Sequence, residues 1–204
     1  MPDSIRAFLL KRLFSFLGIV PLGIYVILHL YNNAYSTQGP EAYNLYLQSS
    51  RQVPYYFLLV FLFIYLPLIF HGIYGLVLTR RGKMNYPQYA WFRNLKYVLQ
   101  RLSGLGLILF IPAHVYKTKL APALYGFQMD YRHMSEGMHE SITLTVYILG
   151  ILAVAFHLAN GIWSAGITWG VTLGPKSQRV SEILSIFIFG VIVIMGFNAI
   201  RGFF

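Results

Sequence analysis

SITLTVYILGILAVAFHLANGIWSAGITW, residues 141–169, holds no Asp, Glu, Lys or Arg in 29 positions, and one histidine, His157. About 20 apolar residues cross the hydrocarbon of a bilayer, so this stretch reads as a membrane span with length to spare for tilt. Four further stretches have the same character, at roughly 12–35, 54–79, 97–120 and 181–203. Polar segments with turn residues separate them: Thr37–Pro40, Arg80–Pro87, Ala121–Glu140 and Gly170–Ser177. Backbone groups in lipid must be satisfied within the segment, and nothing alternates with period two, so the spans are expected to be helices and not strands of a barrel. The predicted fold is an all-α integral membrane protein of five transmembrane helices, with 1–204 as one transmembrane domain.

Composition agrees. The 204 residues are 57% hydrophobic, 17% aromatic and 11% charged, against about 25% charged in a soluble domain. The net charge of +10 comes from 16 Lys and Arg against 6 Asp and Glu. These bases cluster at the ends of apolar runs, which is a topology signal and not a nucleic-acid footprint. Eleven precede the first span or lie between spans two and three and between spans four and five; five lie on the other side (Arg51, Lys117, Lys119, Arg132 and Arg201). The positive-inside rule then makes the N-terminus cytoplasmic. Lys11 and Arg12 before an apolar run resemble a signal peptide, but the run is too long and no A-x-A site follows, so it reads as a retained span. The chain has no cysteine, which excludes disulfides, Cys-ligated iron–sulfur clusters and covalent c-type haem within it.

Each of the first four spans carries one histidine: His29, His71, His114 and His157, spaced by 42, 43 and 43 residues. Ionisable side chains inside a membrane are costly and mark function, and imidazole is a usual ligand of haem iron. Depth sorts the four. His29 and His114 each come about 17 residues into spans that run outward, roughly 25 Å from the inner end at 1.5 Å per residue. His71 and His157 lie about eight and twelve residues before the inner ends of spans that run inward. The two levels differ by roughly 10–15 Å. The predicted pairs are therefore His29 with His114 at an outer level and His71 with His157 at an inner one, as axial ligands of two bis-histidine haems b. The metal in each case is haem iron. Each ring's second nitrogen is expected to be oriented by a hydrogen bond, often to a helix carbonyl.

Small residues fit that arrangement. Gly18 lies eleven residues before His29 and Ser103 eleven before His114, with Gly104 beside it, all at the inner level. Gly72 and Gly75 follow His71, and Gly161 lies one turn past His157. Gly18, Arg101, Ser103, Gly104 and Gly161 are taken as haem-pocket residues, and Lys96, Tyr97, Arg101 and Ser103 as partners for inner propionates. Ordinary helix packing explains the small residues equally well. Pro21, Pro67 and Pro112 are expected to kink spans one to three. A proton relay, zinc path or transporter would recruit Asp or Glu within the spans; none lies there, Glu182 being counted with the inner-side charges at the start of the fifth. His133 and His139 read as solvated loop residues.

The strings LHLYNN around His29, FHGIYG around His71, RLSG and PAHV before and at His114, and FHLANGIW around His157 resemble one family across nearly the whole chain. It is the dihaem cytochrome b membrane anchor of succinate:quinone and quinol:fumarate oxidoreductases (complex II, the single-anchor type). The resemblance implies a quinone-reactive subunit in a prokaryotic cytoplasmic membrane, with no dicarboxylate catalysis in this chain. Its partners would be a flavoprotein with covalent FAD, an iron–sulfur subunit docked on the basic segments Arg80–Lys96 and Lys176–Arg179, membrane lipid and a quinone, with menaquinone favoured. A higher oligomer of the complex is left open. Quinone is expected near the outer haem, with Tyr31, Asn32, Asn33 and Arg51 as candidates. Some fumarate-reducing members carry a glutamate two positions before the last ligand; here that position is Ala155. This tilts the reading toward succinate oxidation with menaquinone reduction. The alternative is a dihaem cytochrome b of a nitrate reductase or hydrogenase, disfavoured by one histidine on each of four helices.

Overall fold

The computed structural model describes residues 3–83, 86 and 88–204, with the backbone alone for Asp3 and Ser4. Pro87, which ends the second turn segment expected from the sequence, lies outside the described residues. All regular structure among the described residues is helical, and five helical segments are long and apolar enough to cross a membrane.

The first span comprises α1 (Asp3–Ile19) and α2 (Pro21–Asn33) and ends in a 3₁₀ turn, Ala34–Gln38. Val20 N–H still reaches Phe16 O at 2.8 Å, but Pro21 offers no N–H for the next rung, and beyond it the bond from Ile24 N–H to Val20 O is stretched to 3.4 Å. Gly39 then turns the chain at φ +96°, a conformation that favours glycine, and α3 (Pro40–Arg51) starts with proline at its first position. The second span is α4 (Tyr56–Val60), a π-helical turn at Phe61–Tyr65, and α5 (Leu66–Arg81). The third is α6 (Phe92–Val115), a π-helical turn at Tyr116–Leu120, and α7 (Ala121–Tyr125). After a short α8 (Tyr131–His139) come the fourth span, α9 (Ser141–Thr168), and the fifth, α10 (Pro175–Arg201).

The two π turns have the same cause. In each, an N–H reaches five residues back, Leu66 to Phe61 O and Ala121 to Tyr116 O, and a proline follows at once, Pro67 or Pro122. A proline ring clashes with the carbonyl four residues earlier, and one widened turn relieves it without ending the helix. Pro112, expected to kink the third span, lies inside α6, which continues to Val115; the irregular turn comes one proline later. The helices also outrun the predicted spans, starting at Asp3, Phe92 and Pro175 where 12, 97 and 181 were expected. Apolar content marks the hydrocarbon, but the helices continue through charged residues such as Lys11 and Arg93.

The fourth span is the hub, packed against α6, α10 and α1, while α5 packs on α1 and α10 also touches α2. Close approach is bought with small residues, as usual between membrane helices. A Cβ at Gly150 would lie 2.5 Å from the Phe110 ring, and one at Gly196 2.6 Å from Ile151. Ala155 is fully buried in a cluster with Leu30, Leu158 and Ile192. Large apolar side chains such as Leu109, Phe187 and Ile194 face outward, as a lipid solvent demands.

The segments between spans are more ordered than turn signals suggest. At the end of the bundle away from the N-terminus, α3 and α8 fold over the end of α10 around Tyr43, Met134, Met138, Ile200 and Phe203. Three hydroxyls from two elements satisfy carbonyls at and just past the end of that helix: Ser36 of the 3₁₀ turn donates to Ala199 O at 2.8 Å, and from α8 Tyr131 donates to Gly202 O at 2.7 Å and Ser135 to Phe203 O at 2.8 Å. His133 and His139, expected to be solvated loop residues, are on α8. His133 bonds Asp130, which caps the helix, and His139 lies against the Phe204 ring.

Candidate haem-binding site

The four span histidines meet in two pairs. The rings of His29 (α2) and His114 (α6) have centroids 5.7 Å apart, and those of His71 (α5) and His157 (α9) 6.1 Å apart. Each pair joins alternate spans, and its two planes are nearly perpendicular, at 89° and 84°. An imidazole nitrogen binds a transition metal at roughly 2.0–2.1 Å, so two rings clasping one ion have centroids about 6 Å apart. The spacing of both pairs therefore fits bis-histidine ligation of haem iron.

The second nitrogens are held as that chemistry requires. His71 Nδ1 lies 3.1 Å from Phe14 O, and His157 Nδ1 3.2 Å from Gln100 O. A carbonyl only accepts, so in both rings Nδ1 carries the proton and Nε2 keeps its lone pair. His114 Nδ1 is 3.1 Å from the Tyr147 hydroxyl. Nε2 of these three rings has no hydrogen bond among the described residues. His29 is held more loosely: its Nδ1 lies 3.5 Å from the Tyr25 hydroxyl, and its Nε2, unlike that of the other three rings, lies 3.5 Å from Asn33 Nδ2. The neighbouring aromatic rings wedge the imidazoles: Phe14 stacks on His71 at 4.2 Å, and Phe110 lies 5.7 Å from His114.

Around His157, polar side chains tie α6 to α9. Gln100 Nε2 donates to His157 O at 3.1 Å, and Asn160 Nδ2 donates to Gln100 Oε1 at 2.8 Å. Ser103 donates to Gln100 O at 3.1 Å, with its hydroxyl 3.3 Å from His157 Nδ1. Gln100, Asn160 and Tyr147 were missed from the sequence. Their signal was there: Gln100 and Asn160 are amides in apolar helices, Asn160 three residues past His157.

The other expected pocket residues divide. Gly18 and Gly104 lie against His71 and His157, so it is imidazole that occupies the space they leave. Gly161 faces the Gln100 side chain, 3.7 Å from where its Cβ would be, and not an imidazole. The Arg101 guanidinium stacks on Tyr97 at 3.6 Å and keeps Nη1 buried with no partner among the described residues, a donor suited to a propionate. Lys96 is committed elsewhere, to Glu182 at 2.9 Å. Glu182 thus lies in the second turn of a spanning helix as an ion-pair partner and is more than an inner-side surface charge.

The four quinone candidates do not converge. Asn33 donates to His29 O at 2.8 Å and accepts from Tyr43 at 3.3 Å. Arg51 reaches Gln128 at 3.3 Å, and Tyr31 is exposed. A cavity of about 160 Å³ lies instead between spans three and four, beside His114, Lys117, Thr143 and Tyr147, and none of the four lines it.

The family model of the succinate dehydrogenase/fumarate reductase transmembrane subunit matches residues 79–197. The succinate dehydrogenase cytochrome b558 subunit of Bacillus subtilis (strain 168) is 37% identical over 198 residues, covering 97% of this chain and 98% of its own. A nitrate reductase or hydrogenase subunit and a histidine-based transporter are thereby set aside. The chain belongs to the succinate dehydrogenase/fumarate reductase transmembrane subunits, as a multi-pass membrane cytochrome b that anchors that complex.

Proposed function

We propose that the chain holds two haems b, one between His29 and His114 and one between His71 and His157, and conducts electrons between an iron–sulfur partner and membrane quinone. The two ring pairs, 5.7 and 6.1 Å between centroids and drawn from alternate spans, carry this reading. When bound, the haems supply one-electron redox centres at two depths. The chain's own residues do the rest. The Nδ1–H bonds of His71 and His157 to main-chain carbonyls fix the tautomer that leaves Nε2 free. Arg101 and Tyr97 offer charge and a hydroxyl to the inner propionates. Lipid-facing apolar surfaces keep water from the rings.

The N-terminus is cytoplasmic, so His71 and His157 lie on the side of the flavoprotein and iron–sulfur subunits. Those partners carry FAD and the iron–sulfur clusters, and the basic segments Arg80–Lys96 and Lys176–Arg179 receive them. Quinone, with menaquinone as the favoured species, reacts near His29 and His114. The direction is succinate oxidation: the position held by glutamate in some fumarate-reducing relatives is Ala155, buried among apolar side chains with no group to move a proton. Electrons passing outward are then driven by the membrane potential, at about 2.3 kcal/mol per charge per 100 mV.

The test is a haem count and redox titration on the complex purified in mild detergent. Two b-type haems per chain with separable midpoints are expected and, in sealed membrane vesicles that hold a potential, succinate-dependent menaquinone reduction that slows when that potential is collapsed. One haem or none, or copurifying molybdenum or nickel, would overturn the reading.

A further inference from the structure

Two glycines stand in the same relation to the two inner imidazoles. His71 Nδ1 donates to Phe14 O, and Gly18 lies four residues after Phe14. His157 Nδ1 donates to Gln100 O, and Gly104 lies four residues after Gln100. In a helix, the residue at that position sits directly over the accepting carbonyl. A Cβ on Gly18 would come 2.5 Å from His71 Cε1 and 3.0 Å from Nδ1; one on Gly104 would come 3.0 Å from His157 Cε1 and 3.4 Å from Nδ1. The atoms it would meet belong to the ring itself, which is held where it stands: Phe14 stacks on His71, and Gln100 and Ser103 reach Nδ1 of His157. Other span glycines behave differently. A Cβ on Gly106 meets nothing within 4 Å, on the face of α6 that carries exposed Leu102 and Leu109, and one on Gly75 makes ordinary contact with Phe14.

We infer that Gly18 and Gly104 are positioning residues for the inner ligand pair, each opening its helix surface so that an imidazole from the next span can reach a main-chain carbonyl. Spans one and three each contribute one such seat, and spans two and four each contribute the ring that uses it. The carbonyl strengthens electron donation from Nε2 and fixes the ring's rotation. The outer pair has no equivalent, since His114 is backed by a phenol and His29 by a longer contact to another. This rests on the haem ligation proposed above.

The experiment compares Gly18→Ala, Gly104→Ala and Gly106→Ala in the assembled complex. The readouts are the low-temperature reduced-minus-oxidised spectrum and the low-spin ferric electron paramagnetic resonance signal of each haem. Gly18→Ala and Gly104→Ala are expected to shift the signal of the same single haem, the one that His71→Ala removes. Gly106→Ala is expected to shift neither. Unchanged signals in both seat variants, or equal shifts of both haems, would overturn the inference. Should the seat variants fail to assemble, proton hyperfine spectroscopy on the unmutated complex, with and without exchange into deuterium oxide, reads the Nδ1 protons directly. An inner ligand without an exchangeable Nδ1 proton would sink the inference, whereas a complex with no haem at all would sink the ligation reading beneath it.

Discussion

Lys96 is buried against Glu182, with Nζ 2.9 Å from Oε1 and the ring of Trp163 3.6 Å from the ammonium, joining spans three and five across 86 positions of sequence. A charge in such a place is tolerable only while its partner and the aromatic face remain. Glu182→Gln strands the ammonium, at a cost toward the low end of about 3–5 kcal/mol, because the carboxylate side keeps some contact with solvent. The expected result is earlier thermal unfolding of the complex in detergent. Replacing both partners, Lys96→Met with Glu182→Leu, is expected to recover most of that loss.

Replacing one histidine at a time tests the proposed pairing. His71→Ala and His157→Ala are expected to lose the same haem and keep the other, and His29→Ala and His114→Ala the converse. Spectra of the four variants check this, and different losses from His71→Ala and His157→Ala would break the pairing.

Tyr147 holds His114 by one hydrogen bond. Tyr147→Phe keeps the ring and deletes the hydroxyl. The spectral signal of the haem that His114→Ala removes is expected to shift, while the other stays in place. Haem content is expected to remain unchanged, since one neutral hydrogen bond contributes only about 0.5–1.5 kcal/mol.

Acid is expected to loosen α8 before the spans. Partial burial raises the Asp130 pKa, but the His133 amide at 2.9 Å and imidazole at 2.7 Å outweigh it and hold the carboxyl below its usual range. A depressed carboxyl contributes stability above its unfolded pKa of about 3.9, which is lost as pH falls through the lower folded value. Protection of the α8 amides, taken as exchange relative to the intrinsic rate at each pH, should therefore fall as pH drops below about 4. At neutral pH, Asp130→Ala is expected to cost about 1 kcal/mol of local stability, and Asp130→Asn much less.

The histidine pairs were legible because depth in a straight helix is set by a fixed rise, so counting residues from the charged ends placed four rings at two heights. Gly18 and Gly104 were legible as positions but not as reasons: sequence shows a gap at a level, and only coordinates show that imidazole fills it. Lys96 with Glu182 was invisible, since contact between spans three and five depends on how helices rotate about their axes. The cap of α3 and α8 was hidden by short, polar segments whose apolar residues, Tyr43, Met134 and Met138, serve one another and not the lipid. Pro112 misled because a proline's effect depends on whether neighbouring turns widen, and Pro122 stood in a stretch read as loop.

Alternate pairing also dictates an order of construction. Once the third hydrophobic segment has left the ribosome and entered the bilayer, His29 and His114 can already face each other. His71 must wait for His157, some 43 codons later. One histidine pair is therefore complete on a partial chain, and the other closes last.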